Sequence, residues 1–158
     1  MLENKLEFEP RDPDFRAKVE SSFHRQKAMD TLGVRLAELR PGFVALEMPH
    51  DAAFTQQHGF MHAGIITTAL DTACGYAAFS LMKPGAAVLS VEFKTNFIAP
   101  ANGARFRIEA TVLKPGRTLT VCEAKAYSSP NKTKTAARLV ASMTATIMAV
   151  TGREGIEQ

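Results

Sequence analysis

The alternation of apolar and polar side chains is strictest in the second half of the chain. Over residues 87–98, Ala87, Leu89, Val91, Phe93 and Phe97 fall on one face, and Ser90, Glu92, Lys94 and Asn96 on the other. That period of two predicts a half-buried strand. After Pro100, Asn102 and Gly103 turn the chain, Ala104, Phe106, Ile108, Ala110 and Val112 oppose Arg105, Arg107, Glu109 and Thr111 in a second strand. Lys114-Pro115-Gly116-Arg117 is a hairpin turn signal. Further strands are expected at 118–127 and 137–149, separated by Ser128-Ser129-Pro130-Asn131. Earlier, 33–39 and 42–48 read as strands around Arg40-Pro41-Gly42, followed by a loop from Pro49 to Gln57. Residues 13–30 read as a helix that Asp12 or Asp14 caps, with Phe15, Val19, Phe23 and Ala28 or Met29 on its apolar face.

Residues 63–82 follow neither pattern. AGIITTALDTACGYAAFSLM holds one charge, Asp71. Its length would suit a membrane span. A central Asp, however, costs about 2.5–3.5 kcal/mol on insertion, and Thr and Ala repay little of that. The expectation is a helix buried nearly all round by a sheet. Short connections between strands imply an antiparallel sheet, and a curved antiparallel sheet wrapped on one long helix is an α+β arrangement.

Composition narrows the class. The chain has 158 residues, 46% hydrophobic and 22% charged, as expected of one globular domain. Two cysteines, Cys74 and Cys122, in apolar surroundings make no disulfide framework and suit a reducing compartment. The polar, acidic start MLENKLEFEPRDPDF lacks the pattern of a signal peptide, so a cytoplasmic location is expected. A net charge of +3 does not imply nucleic-acid binding. Residues 101–138 nevertheless hold eight basic side chains (Arg105, Arg107, Lys114, Arg117, Lys125, Lys132, Lys134, Arg138) against Glu109 and Glu123. That region favours either an anionic ligand or a solvated sheet face, and its few aromatics argue against base stacking.

Two features carry candidate chemistry. Asp71 within an apolar helix is costly unless paired, hydrogen-bonded or protonated, which makes it a candidate base. His58-Gly59-Phe60-Met61-His62-Ala63-Gly64 leads into the same helix. Free N–H groups and the positive dipole end there would polarise a carbonyl oxygen near Ala63 and Gly64. His58 and His62 have a metal-like spacing of four, but they precede the helix and no third ligand is near. A loop-orienting role fits His62 better. Ala63 and Asp71 are eight residues apart, about 12 Å along a helix. Donor and base must both come within about 3 Å of one reacting group. If both act, each site takes one from each subunit of a two-fold dimer.

His62-Ala63-Gly64, Asp71 nine residues after the His, and Gly75-Tyr76-Ala77-Ala78 together resemble the PaaI-like acyl-CoA thioesterases of the hotdog fold. Ser90-Val91-Glu92-Phe93 with Asn96-Phe97-Ile98-Ala99-Pro100-Ala101, and Leu113-Lys114-Pro115-Gly116-Arg117-Thr118-Leu119, extend the resemblance over residues 32–150. It leaves 1–31 as an N-terminal helical extension and 151–158 as a flexible tail. The resemblance implies hydrolysis of an acyl-CoA thioester without metal or redox cofactor. It implies Asp71 as base or nucleophile, the Ala63 N–H as oxyanion donor, Gln56 as a contact to thioester or water, and Ser90 as a water-placing hydroxyl. Gly64, Lys114 and Arg117 would bind substrate. It further implies a homodimer or dimer of dimers, with no nucleic-acid or membrane partner. Ala63 departs from the family's first motif glycine, which bears on substrate choice. A hotdog hydratase or dehydratase, using His62 with Asp71, and a non-catalytic acyl-CoA binder are the competing readings.

Overall fold

The computed structural model describes residues 7–130 and 137–156. Among them, α1 (Phe15–Arg25), α2 (Lys27–Thr31), β1 (Arg35–Arg40), β2 (Phe43–Pro49), α3 (Ala63–Phe79), β3 (Ala87–Phe97), β4 (Arg105–Lys114), β5 (Leu119–Ser129) and β6 (Arg138–Val150) follow in order. The six strands form one antiparallel sheet, ordered β1-β2-β4-β5-β6-β3. The sheet curls around α3, which touches β2 through β6. This is the hotdog arrangement, α+β as the apolar pattern implies.

Short side chains let the helix lie close to the sheet. Ala110, Ala124, Ala126, Ala141 and Ala145 line the sheet's inner face, opposite Ala69, Ala73 and Ala77 of α3, and all are buried. Larger groups (Ile66, Leu70, Phe79, Phe106, Ile108, Ile147) fill the remaining space and are buried as well. No helix among the described residues is long and apolar enough to cross a membrane.

Several local expectations change. The helix expected over 13–30 is broken at Gln26, whose ψ of 95° is extended. Asp14 holds the N-cap position without a side-chain bond. Asp12 instead accepts the Asp14 N–H at 3.0 Å and pairs with Lys18 at 3.1 Å. Met29 is buried and Ala28 exposed. The first strand begins at Arg35, because Gly33 turns at φ 66° and the Val34 N–H bonds back to Met29. The helix expected over 63–82 stops at Phe79.

Two further changes concern β3. It does not form a hairpin with β4. It pairs with β6 and ends the sheet, while the connection to β4 passes the start of α3, where the Met61 N–H bonds to the Ala101 carbonyl at 3.0 Å. Nor do its apolar residues share a face. A bulge lies between Ser90, opposite Ile147, and Glu92, opposite Thr146. One extra residue inverts every side chain beyond it. Ser90, Phe93 and Phe97 therefore point to the inner side, opposite buried Ile147, Ala145 and Ala141, while Leu89 shares the outer face with Glu92, Lys94 and Asn96. Asn131, Lys132 and Lys134 lie outside the described residues.

Cys74 and Cys122 are free and buried. Desolvation pushes the Cys122 thiol from 9.0 to about 12, and raises Cys74 well above its usual range, aided by the neighbouring Cys122 and Asp71. An unfolded Cys122 ionises near pH 9, so its contribution to stability is complete below pH 9 and is lost as pH rises towards 12. The loss is about 1.4 kcal/mol per pH unit. The stability cost of Cys122→Ala should therefore shrink between pH 9 and pH 11. Urea unfolding of both proteins at each pH checks this, and a cost independent of pH would refute it.

Candidate active site

The start of α3 is defined by one residue. His62 is the N-cap, with φ −61° and ψ 137°. Its Nδ1 accepts the Gly64 N–H at 2.9 Å, which makes it an acceptor and places the ring proton on Nε2. Its carbonyl accepts the Ile65 and Ile66 N–H groups at 2.9 and 3.2 Å. A helix leaves its first N–H groups without internal partners. Here three of the first four are taken by His62, and the Ala63 N–H has no partner among the described residues. Ala63 is exposed. Gly64 leaves room for this cap, since a Cβ there would lie 3.2 Å from His62 Nδ1 and crowd the ring.

Gln56 stands beside this donor. Its side-chain oxygen accepts the His58 N–H. Because a backbone N–H can only donate, the amide's oxygen end is fixed towards the loop and its NH2 is left to donate outwards. Gln56 and Ala63 share the wall of a 410 Å³ cavity whose other walls, including Phe60, Ile66, Phe97 and Ile98, are apolar.

Asp71 lies two turns further along α3. The expectation of a helix covered all round does not hold at this point. Ala63, Gly64, Thr67, Thr68, Asp71 and Gly75 form a stripe that the chain's own sheet leaves open, and Asp71 is half-buried. Ser90 Oγ donates to Asp71 Oδ1 at 2.6 Å. This contact exists because the β3 bulge keeps Ser90 on the inner side. Within one chain, then, the structure brings together Ser90 with Asp71, and Gln56 with Ala63, as two separate pairs. Lys114 and Arg117 belong to a third place, the β4–β5 hairpin at the far end of α3. There a Cβ on Gly116 would lie 1.9 Å from the Leu119 carbonyl oxygen, so only glycine fits the turn.

The basic cluster of residues 101–138 divides. On the outer sheet face Arg105 pairs with Glu47, Arg107 with Glu38 and Glu109, and Lys125 with Glu123. These are the solvated face. The pattern gave no sign of Gln26, at the α1–α2 break, whose Oε1 accepts from Thr72 next to Asp71 at 3.4 Å.

Comparison with known proteins bears on the fold and the family. The thioesterase superfamily model matches residues 58–135. A protein of Halobacterium salinarum with a provisional esterase name is 31% identical over 115 residues, 70% of this chain and 76% of that one. A second, from Saccharolobus solfataricus, also provisionally named an esterase, is 35% identical over 92 residues, 58% of this chain and 65% of that one. The crystal structure of a thioesterase family protein from Silicibacter pomeroyi is 58% identical, with a TM-score of 0.83 over 87% of this chain and 99% of that one. The PaaI protein from the phenylacetic acid degradation operon of E. coli shares the fold, with a TM-score of 0.77 over 89% of this chain and 96% of that one, at 18% identity.

Replacing His62 with Ala leaves the Gly64 N–H uncapped and should lower stability by about 1 kcal/mol, while His62→Asn should restore most of it. Urea unfolding at neutral pH measures both. Equal midpoints for wild type and His62→Ala would show that the cap contributes nothing.

Proposed function

Since this chain belongs to the thioesterase superfamily, we propose that it hydrolyses an acyl-CoA thioester to a carboxylic acid and free CoA. The observation that carries the reading is the single unpartnered N–H at the start of α3. His62 occupies its neighbours, so the Ala63 N–H is the one donor aimed outward at the helix's positive end. A thioester carbonyl placed there gains stabilisation as negative charge develops on its oxygen. Asp71 removes a proton from the attacking water. Ser90 holds the carboxylate's other oxygen and fixes its rotamer. The Gln56 NH2 holds the thioester or the water, and the apolar cavity beside Ala63 takes the acyl group. Gly64 opens the approach. Lys114 and Arg117 attract the CoA phosphates.

One protomer does not complete this site. Ala63 and Asp71 sit about 12 Å apart on a rigid helix. β3 is an unpaired edge with Val91 52%, Phe93 44% and Phe97 53% exposed, which is a liability in a lone chain. Pairing of β3 with a second copy about a two-fold axis covers that edge and sets Asp71 of one protomer against Ala63 of the other. Further association into a dimer of dimers is compatible with this.

Two variants and their mixture test the reading through release of free thiol from a panel of aromatic and aliphatic acyl-CoAs. Asp71→Asn should lose about 10²–10⁴-fold in turnover. Ala63→Pro deletes the donor at the one helical position where proline is well tolerated, after a residue already extended. It should lose about 10²–10³-fold and stay folded. Each variant alone is impaired. A mixed dimer of Asp71→Asn with Ala63→Pro holds one doubly damaged and one intact site, so activity should return on mixing through the unfolded state. No return on mixing would mean that both groups act within one chain. Full activity of Asp71→Asn would remove Asp71 as base.

A further inference from the structure

A second cavity, of 510 Å³, lies at the opposite end of α3. Its walls come from the hairpin with Pro115, Gly116 and Arg117, from the turn after α3 with Leu81 and Lys83, and from the N-terminal segment with Phe8, Glu9 and Arg11. That segment is pinned on both sides of Arg11. The Phe8 ring packs so tightly on Gly42 that a Cβ there would lie 2.5 Å from it. Asp12 is buried and paired with Lys18, whose ammonium holds its carboxyl below the usual range. The backbone at Arg11 is thus held between two anchors, and Arg11 lines the cavity.

The charges here differ from those of the outer sheet face. There, Arg35, Arg40, Arg105 and Arg107 all have carboxylate partners within 4 Å. Arg11, Lys83 and Arg117 have none among the described residues, and Glu9 is the one acid in the cavity wall. Uncompensated cations around a concave, partly apolar wall concentrate positive potential and select a polyanion with an apolar part. The rim matches a ligand bearing several phosphates, and Phe8, Pro115 and Leu81 offer surface for a base.

Distance links this cavity to the reaction. Ala78 lines it, seven residues from Asp71 and fifteen from Ala63, or about 10 and 22 Å along the helix. A ligand anchored here lies nearer to Asp71 of its own chain, which is the half-site that the partner's Ala63 would complete.

We propose that Arg11 and Lys83 join Arg117 in a binding site for the phosphorylated adenosine end of the substrate, and that the segment 7–12 is a wall of that site. The inference rests on the acyl-CoA reading above, and adds Lys83 together with Arg11, which lies outside the matched family region. Titration calorimetry with adenosine 3′,5′-bisphosphate tests the site without turnover. Wild type should bind with an affinity that falls as salt rises, and Arg11→Ala/Lys83→Ala should bind about tenfold more weakly. In kinetics, the double variant should raise KM for the best acyl-CoA about tenfold while kcat holds, with kcat/KM for the matching N-acetylcysteamine thioester, which has no phosphate, unaltered. Equal bisphosphate affinity and equal KM in both proteins would overturn the proposal and leave the thioesterase reading standing. Bisphosphate binding that depends on Arg11 and Lys83, in a wild type that cleaves no thioester, would uphold the site and overturn the thioesterase reading.

Discussion

A straight helix cannot bring its own start to its own middle, and most of this molecule follows from that. The Ala63 N–H and the Asp71 carboxylate are carried on one rigid α3, about 12 Å apart. Five strands of the sheet touch the helix, and buried alanines line both surfaces where they meet. The stripe from Ala63 through Thr67 and Asp71 to Gly75 is the side the sheet covers only in part. It runs beside β3, the strand with a free edge and exposed aromatic side chains. The open helix face and the unpaired sheet edge adjoin, and this is the surface on which the proposed pairing with a second copy rests.

Local chemistry at the start of α3 is economical in a specific sense. One histidine takes three N–H groups, two through its carbonyl and one through its ring. The glycine that follows leaves room for that ring. What remains is one donor at the helix's positive end, beside a glutamine amide whose polarity is fixed by its own loop. At Asp71 the same precision comes from a distance, through a bulge nineteen residues later that turns Ser90 inward.

Charge is partitioned between faces. The outer sheet surface carries compensated pairs, each worth little by itself in water. The hairpin end of α3 gathers Arg11, Lys83 and Arg117 around one acid, Glu9, with no ion pair to any of the three among the described residues. The same residue types thus serve a solvated face in one place and an anion-attracting cavity in another, and only the neighbours separate the two.

Much of the fold was legible in the chain. The period of two over 104–112, the turn signals at Pro41-Gly42 and Pro115-Gly116, and the long apolar stretch with a lone Asp define the strands and the central helix, because burial on one face or all round leaves a direct mark on composition. The candidate residues also stood out, since an isolated charge and small residues before an apolar helix are rare without a reason. The period failed in β3, where alternation looked strict. Whether Leu89 and Phe93 share a face depends on the partner strand, and a bulge is a property of the pair. The broken first helix, the edge position of β3 and the pocket built by Phe8 and Arg11 were likewise set by contacts between segments far apart in sequence. The sequence by itself determined which residues prefer to be buried and where the backbone can turn. Only the tertiary structure decided which of those surfaces meet, because pairing register and the gathering of distant charges are set by long-range packing.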